Sequence, residues 1–435
     1  MADPSTQTTV YSADGVLTGA LNEHLPNASV VTTGAEIAWV GPTAALPAEY
    51  ARASRTNLPG VTLLPGLIEV HGHLGHFPGT PPDANNSEQW SLAAHFANAR
   101  VALSVGVTTI RSLGALNYTD VGARDAINAG LARGPRLLAA GPIITATGGH
   151  AWRFGGEADT IAEIRHLVRT SHKRGVDVIK VAATGGFMTP GSSLWAAQFT
   201  TKQLRALVDD AHRLGKNTAA HAHGAPGVRR ALRAGIDTLE HVSFLTERGT
   251  SEFDPVLADE IAEAGRPVDI TISWSWPALY EAGKAFKLPI QELHGHGVQF
   301  IAGTDAAVAG YVGGLKALHY FGLPVNEVLV AATSRAAEAI GLKGVAGRLQ
   351  AGHSADLIGA KGNPLESLDA LDDLALVVAR GEEFAPEPVG PLERFLPPVP
   401  PDSKRSLAFE EEQRRWARLH PDETVATPND RKETP

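Results

Sequence analysis

The segment LLPGLIEVHGHLG, residues 63–75, decides how the rest of the chain is read. Its apolar run through Ile68 and Val70 has the character of a buried strand and ends in His71 and His73. Residues two apart on a strand project to the same side. Both imidazoles therefore enter one small volume, as two ligands of a divalent ion must. An H-x-H pair alone is more often structural than metal-binding, so its meaning depends on whether other strands supply further ligands.

Outward from this segment, short β-type runs alternate with helical ones. Strands are expected near Leu64, Thr108, Leu137, Val178, Thr218, Thr238, Val268 and Phe300. Between them lie stretches with helical spacing of apolar residues, such as Gln89 to Ser104, DTIAEIRHLVRTSHKRG and TTKQLRALVDDAHRLG. Eight β-then-α units predict an α/β fold, a closed (β/α)8 TIM-like barrel over residues 63–340. A doubly wound open sheet is the alternative, but no G-x-G-x-x-G opens a helix after the first strand. Residues 1–62 and 341–385 read as short strands and turns, and are expected to form one small β-sandwich domain from both chain ends. Residues 386–435, rich in Pro and charge, read as a tail with one helical candidate, SLAFEEEQRRWARLH.

Composition narrows the function classes. The 435 residues are 43% hydrophobic and 20% charged with a formal net charge of -9, and no Lys/Arg run marks a nucleic-acid surface. There are no cysteines, so a metal site has to be built from His, carboxylate or modified lysine. The N-terminus has no basic region followed by an apolar core, and no stretch reaches the roughly 20 apolar residues that span a bilayer. A cytoplasmic protein with a small-molecule substrate and no membrane partner is expected; the composition leaves homo-oligomerisation open.

Further ligand-type residues fall at other expected strand ends: Lys180 in VDVIKVAAT, His221 and His223 in AAHAHG, His241 in DTLEHVSF and Asp305 in IAGTDA. Each has an ordinary reading alone. A core histidine is usually hydrogen-bonded structure, Asp305 after Gly-Thr suits a helix cap, and Lys180 suits a buried ion pair. A closed barrel gathers the carboxyl ends of its strands on one face, and five such ends together point to a metal centre. His76, His95, His294, His296 and His319 have no strand-end partner and read as helix or loop residues.

The motifs PGLIEVHGH, VDVIKVAATGGFMTPGS, AAHAHG, LEHVSF and IAGTDA, in this order, resemble the amidohydrolase superfamily, in its prolidase-like, imidazolonepropionase-related branch. The resemblance runs from about Leu58 to Leu374, and GRLQAGHSADLIG is similar to the family's returning β segment. It implies a binuclear site, usually zinc, bridged by a lysine that carbon dioxide has carboxylated. His71, His73 and Asp305 would hold the more buried ion, His221 and His241 the more exposed one, and Lys180 would bridge them. Spacing does not separate His221 from His223; the family pattern favours His221, which leaves His223 beside the ligands or facing substrate.

The implied reaction is hydrolysis of an amide-type C–N bond, with Asp305 moving the proton. The bond could belong to a dipeptide, an N-acyl amino acid or a hydrophobic or aromatic xenobiotic amide. Other readings are a carbamate, urea, ester or lactone hydrolase on the same site, a mononuclear deaminase or cyclic-amide hydrolase, and an inactive scaffold. His150, in TATGGHAWRFGG, is a candidate to stabilise a carbonyl oxygen or hold a substrate carboxylate, and Arg153 to pair with a carboxylate. Trp274 and Trp276 in ITISWSW, read as alternating on a strand end, would line an apolar pocket. Substrate preference is expected in the loop from Leu74 to Asp83, LGHFPGTPPD.

Overall fold

In the computed structural model, residues 7–76, 87–187, 189–392 and Arg418 are described. The strands are β1 (Thr8–Leu17), β2 (His24–Thr33), β3 (Glu36–Pro42), β4 (Ser54–Pro65), β5 (Leu67–Gly72), β6 (Val107–Ser112) and β7 (Arg136–Leu138), followed by β8 (Val178–Ala182), β9 (Asn217–Ala222), β10 (Thr238–His241), β11 (Val268–Asp269), β12 (Leu357–Lys361), β13 (Leu374–Ala379) and β14 (Glu382–Glu383). Helices separate most of the strands from β5 to β11, and the fold is mixed α/β.

The two chain ends share one sheet, in the order β14-β13-β12-β4-β1-β2-β3. Strand β4 holds it together by pairing parallel with β1 and antiparallel with β12, so the last third of the chain returns to its beginning. Tyr11, Val16, Val30, Ile37, Leu63, Leu357 and Val378 pack into one core on this sheet.

The remaining strands are parallel and form two sheets, β5-β6-β7 and β8-β9-β10-β11. Hydrogen bonds cross both gaps between them. Ile144 N donates to Lys180 O at 2.9 Å and Ala182 N to Ile144 O at 2.8 Å. On the other side, Val268 N donates to Gln299 O at 2.8 Å, Ile301 N to Val268 O at 3.0 Å, and Val70 N to Ala302 O at 3.1 Å. The buried Tyr311 hydroxyl donates to Ile68 O at 2.5 Å, tying the helix that follows residues 299–302 to β5.

The outer helices follow from pattern and capping. In Thr201–Arg213, Leu204, Leu207, Val208 and Ala211 are buried at the spacing of one helical face. Thr200 and Gln203 close a capping box at its start, and Thr160 and Glu163 do the same for Ile161–Lys173. Truncating Leu204 or Leu207 to Ala would open a cavity costing about 2–5 kcal/mol.

Three local expectations are corrected. The 63–75 segment is two strands, not one, broken at Gly66, where a Cβ would come within 2.0 Å of Thr108 Oγ1. Bare backbone there lets β6 approach while the chain passes from one sheet to the other. The seventh strand is only Val268–Asp269, because Thr271 takes φ 53°, and Trp276 starts the helix Trp276–Glu281 and does not continue a strand. The helix Tyr311–Tyr320 adds an element to the expected order, because Gly313 and Gly314 weaken its local signal. Packing requires them: a Cβ on Gly313 would lie 2.5 Å from Trp274 Cβ, and one on Gly314 2.8 Å from Ile272 O.

Residues 77–86 of the expected specificity loop and nearly all of the tail lie outside the described residues. The loop's entrance is fixed, with Asn98 Nδ2 donating to Leu74 O and His76 O at 2.8 and 2.7 Å. At the loop's exit, Ser87 caps the helix Glu88–Ser104. The tail's described start lies on that helix, where Glu387 meets Arg100 at 2.5 Å.

Candidate active site

Consecutive parallel strands bring the candidate residues together. His71 lies within β5 and His73 one residue past its end; Lys180 is the middle residue of β8; His221 lies in β9 with His223 just beyond; His241 closes β10. Asp305 N donates to His71 O at 3.2 Å, which sets its side chain over the end of β5. Asp305 Oδ1 is 3.1 Å from His73 Nε2 and 3.8 Å from His71 Nε2.

Two overlapping clusters result. One ligand atom each from His71, His241 and Asp305 lies within 4.8 Å of the others, and the same holds for His221, His223 and His241. His150 stacks on His221 with ring centroids 4.2 Å apart, and His223 on His241 at 4.4 Å.

Hydrogen bonds on the outer side fix which ring nitrogen faces inward. His73 Nδ1 is 3.2 Å from Gly114 O and His221 Nε2 is 2.8 Å from Gly185 O. A carbonyl only accepts, so these nitrogens carry the protons and His73 Nε2 and His221 Nδ1 carry the lone pairs. His241 Nδ1 is 2.6 Å from Thr271 Oγ1 and His223 Nδ1 is 2.8 Å from Ser243 Oγ. Among the described residues, His241 Nε2 and Lys180 Nζ are buried without a hydrogen-bond partner. Buried polar groups are nearly always satisfied. Two orphans of opposite type, a lone pair and an amine, fit a site that takes up a cation and a carboxylated lysine.

Behind these candidate ligands lies a charged layer that sequence reasoning missed. Arg111 Nη2 pairs with Glu240 Oε1 at 3.0 Å, and His71 Nδ1 is 3.2 Å from Glu240 Oε2 and 3.1 Å from Asp269 Oδ2. Glu69 accepts from His71 N, Thr304 N and Thr304 Oγ1. The available signal was the ionisable residue inside an apolar strand next to each histidine motif, Glu69 in LIEVH and Glu240 in TLEH.

These contacts set the charge states. Burial raises Glu69 to about 7 against the hydrogen bond from Thr304. Burial and the charge of Lys180 push His71 down, but Asp305, Asp269 and Glu240 outweigh them and bring it to about 9. Burial likewise pushes Glu240 up, while Arg111 and Lys180 prevail and hold it well below the usual carboxylate range. For Lys180 burial dominates; with Arg111 it lowers the amine to about 8 against Glu240 and Asp305. Burial takes His221 and His241 well below the usual histidine range and His150 to about 4.

The backbone is strained at the same place. His241, Val242, Phe244, Thr271 and Asp305 all have positive φ, at 76°, 40°, 52°, 53° and 49°. Such conformations cost on the order of 1–3 kcal/mol each and gather where function over-determines the geometry. Here they turn the chain sharply at strand ends, which aims His241 and Asp305 into one volume.

The other expected contacts are less central. His150 is buried, its backbone N donating to Gln198 Oε1 at 3.1 Å. Arg153 is exposed, its guanidinium 5.7 Å from the Trp152 ring centroid. Trp274 packs on the Gly310 and Gly313 backbone, and Trp276 Nε1 donates to Phe286 O at 3.2 Å while its ring meets Phe286 edge-on. Trp276 is thus engaged in helix packing. Phe187 stands edge-on to His223 with centroids 5.1 Å apart. His95, His294 and His319 lie in helices, and His296 meets Asp259 at 2.6 Å.

Residues 62–383 match the model of the Amidohydrolase family. Ochratoxinase of Aspergillus niger is 29% identical over 413 residues, covering 85% of this chain and 84% of the relative. Its crystal structure superposes with a TM-score of 0.77 over 87% of this chain and 96% of that one, at 27% identity. A Xaa-Pro dipeptidase crystallised with methionine in its active site gives a TM-score of 0.79 at 26% identity, over 87% of this chain and all of the other. Imidazolonepropionase of Paracoccus denitrificans is 25% identical over 366 residues, 76% of this chain and 86% of the relative. With a match over most of its length and this clustering of histidines and Asp305, the chain belongs to the amidohydrolase family and is a hydrolase of amide-type C–N bonds.

Proposed function

We propose that the protein is a binuclear metal-dependent hydrolase of hydrophobic or aromatic amides, including dipeptides and N-acyl amino acids. Its parallel strands are read as one closed eight-stranded barrel, with residues 299–302 as the eighth strand. Residues 63–340 form that barrel, and 1–62 with 341–385 the small β domain. His71, His73 and Asp305 would hold the more buried ion, His221 and His241 the more exposed one, and Lys180, carboxylated by carbon dioxide, would bridge them; zinc suits the nitrogen-rich donor set. The observation that carries this reading is Lys180 Nζ, buried without a hydrogen-bond partner beside the orphaned His241 Nε2. An ammonium there would have no counter-ion bonded to it, whereas a carbamate adds the negative charge that two adjacent cations need.

When bound, such ions polarise the scissile carbonyl and make water nucleophilic at neutral pH. Asp305 accepts the proton of the attacking water and returns it to the leaving nitrogen; its carboxylate is about one-third exposed and so faces the substrate side. His73 Nε2 lies 3.1 Å from it, and a cation held between the two would fix the orientation of that carboxylate. With its pKa lowered to about 4, His150 is neutral at physiological pH and supplies an N–H to the carbonyl oxygen as charge develops on it.

Apolar substrates are supported by Phe187 beside His223, and by relatives named ochratoxinase and Xaa-Pro dipeptidase. Exposed Arg153 suits a substrate carboxylate at the rim. A cytoplasmic location and a small-molecule partner complete the reading.

The test is turnover of a panel of dipeptides, N-acyl amino acids, anilides and carbamates by zinc-loaded protein, together with metal analysis. Two equivalents of zinc and preference for an aromatic amide are expected. One equivalent at saturating zinc and carbon dioxide would sink the binuclear reading, and turnover of carbamates alone would move the substrate class.

A further inference from the structure

We infer that His223 is a third protein ligand of the more exposed ion, so that His221, His223 and His241 form a three-imidazole zinc site that fills without the Lys180 carbamate. This rests on the metal-centre reading above and adds a residue and an order of assembly to it. His221 and His241 stand in the adjacent strands β9 and β10 and His223 directly after β9, and all three are buried. One ring nitrogen from each lies within 4.8 Å of the other two. Each ring is anchored on its far side by a different partner: His221 by Gly185 O, His223 by Ser243 Oγ and His241 by Thr271 Oγ1. Three separately tethered imidazoles with ring nitrogens this close match the donor set of zinc sites that keep a fourth position open.

Zinc at about 2.1 Å from each nitrogen holds them about 3.4 Å apart. Small ring rotations about the three anchors would close the remaining difference. The rings lie close together, with centroids 4.7 Å apart for His221 and His223, 4.3 Å for His221 and His241 and 4.4 Å for His223 and His241. Because three neutral imidazoles hold Zn2+ without an anion, the first ion can enter while Lys180 is still an amine. Carboxylation and the second ion would follow.

The experiment uses the full-length apo protein carrying Lys180→Met, which cannot form a carbamate. Zinc affinity is read by competition with a chelating dye, and geometry by the visible absorption of bound Co2+. One equivalent with a tetrahedral cobalt spectrum is expected. Adding His223→Ala, or His223→Gln should the alanine variant not fold by circular dichroism, should weaken zinc binding by about 100-fold or more and collapse the cobalt spectrum. Ser243→Ala in the same background should weaken it by about 10–100-fold, the usual cost of losing an outer hydrogen bond. If Lys180→Met binds no zinc, or if the His223 variants bind it as tightly as their parent, the three-imidazole site is wrong. Wild-type stoichiometry under carbon dioxide, measured in parallel, tests the two-ion reading separately.

Discussion

Arg111 and Glu240 form a salt bridge of 3.0 Å with almost no exposure to solvent, and the other oxygen of Glu240 lies 3.2 Å from His71 Nδ1. The arginine also donates to Val70 O at 2.7 Å and Thr238 Oγ1 at 3.0 Å, so one guanidinium bonds to β5 and β10 from its own strand, β6. Breaking a buried pair leaves a lone charge at a cost of about 3–5 kcal/mol. Glu240→Gln should therefore lose stability on that scale in urea unfolding. The double variant Arg111→Met/Glu240→Leu should recover most of the stability but not zinc affinity, since His71 loses an acceptor. Recovery of both would show that the pair plays no part in positioning the ligand.

Asp305→Asn keeps the size of the side chain and removes its basicity. Turnover of a cognate amide should fall about 10²–10⁴-fold, the range for losing a general acid–base group. Stability should change little because the carboxylate is partly exposed. Unchanged turnover with metal retained would assign the proton shuttle to another group.

Activation of apo protein by carbon dioxide should depend on pH through Lys180. Only the neutral amine attacks carbon dioxide, and burial lowers this group to about 8. At fixed dissolved carbon dioxide, the rate of carbamate formation, followed by ¹³C NMR, should rise about tenfold per pH unit below 8 and level off above it. A profile still rising steeply beyond pH 9 would mean that the amine titrates like an exposed lysine.

His150→Asn separates two roles for that ring. Stabilisation of the carbonyl oxygen predicts a fall of about 10²–10³-fold in kcat with KM little changed. Capture of a substrate carboxylate predicts the reverse, and only for substrates that carry one.

Much of the candidate site was legible because its residues stand at the ends of parallel strands, and strand ends are visible as apolar runs stopping at polar residues. VDVIKVAAT and DTLEHVSF each contain a strand that carries Lys180 or His241 as expected. What stayed hidden was either non-local or locally contradictory. Arg111 stands in an ordinary β run, VTTIRS, and gains its role from distant partners, Glu240 among them, 129 residues away. Trp276 looked like part of a strand until Thr271 turned the chain and Phe286 took up its indole.

The sequence by itself determined the α/β alternation, the absence of cysteine ligands and the set of histidines, Lys180 and Asp305 available to a metal, because periodicity and residue chemistry are local properties. Tertiary structure alone decided which nitrogen of each ring faces inward, that Lys180 has no hydrogen-bond partner among the described residues, and that His223 stands beside His221 and His241. Those facts depend on carbonyls and hydroxyls brought from other strands, and a chain that has not yet folded holds no such neighbours.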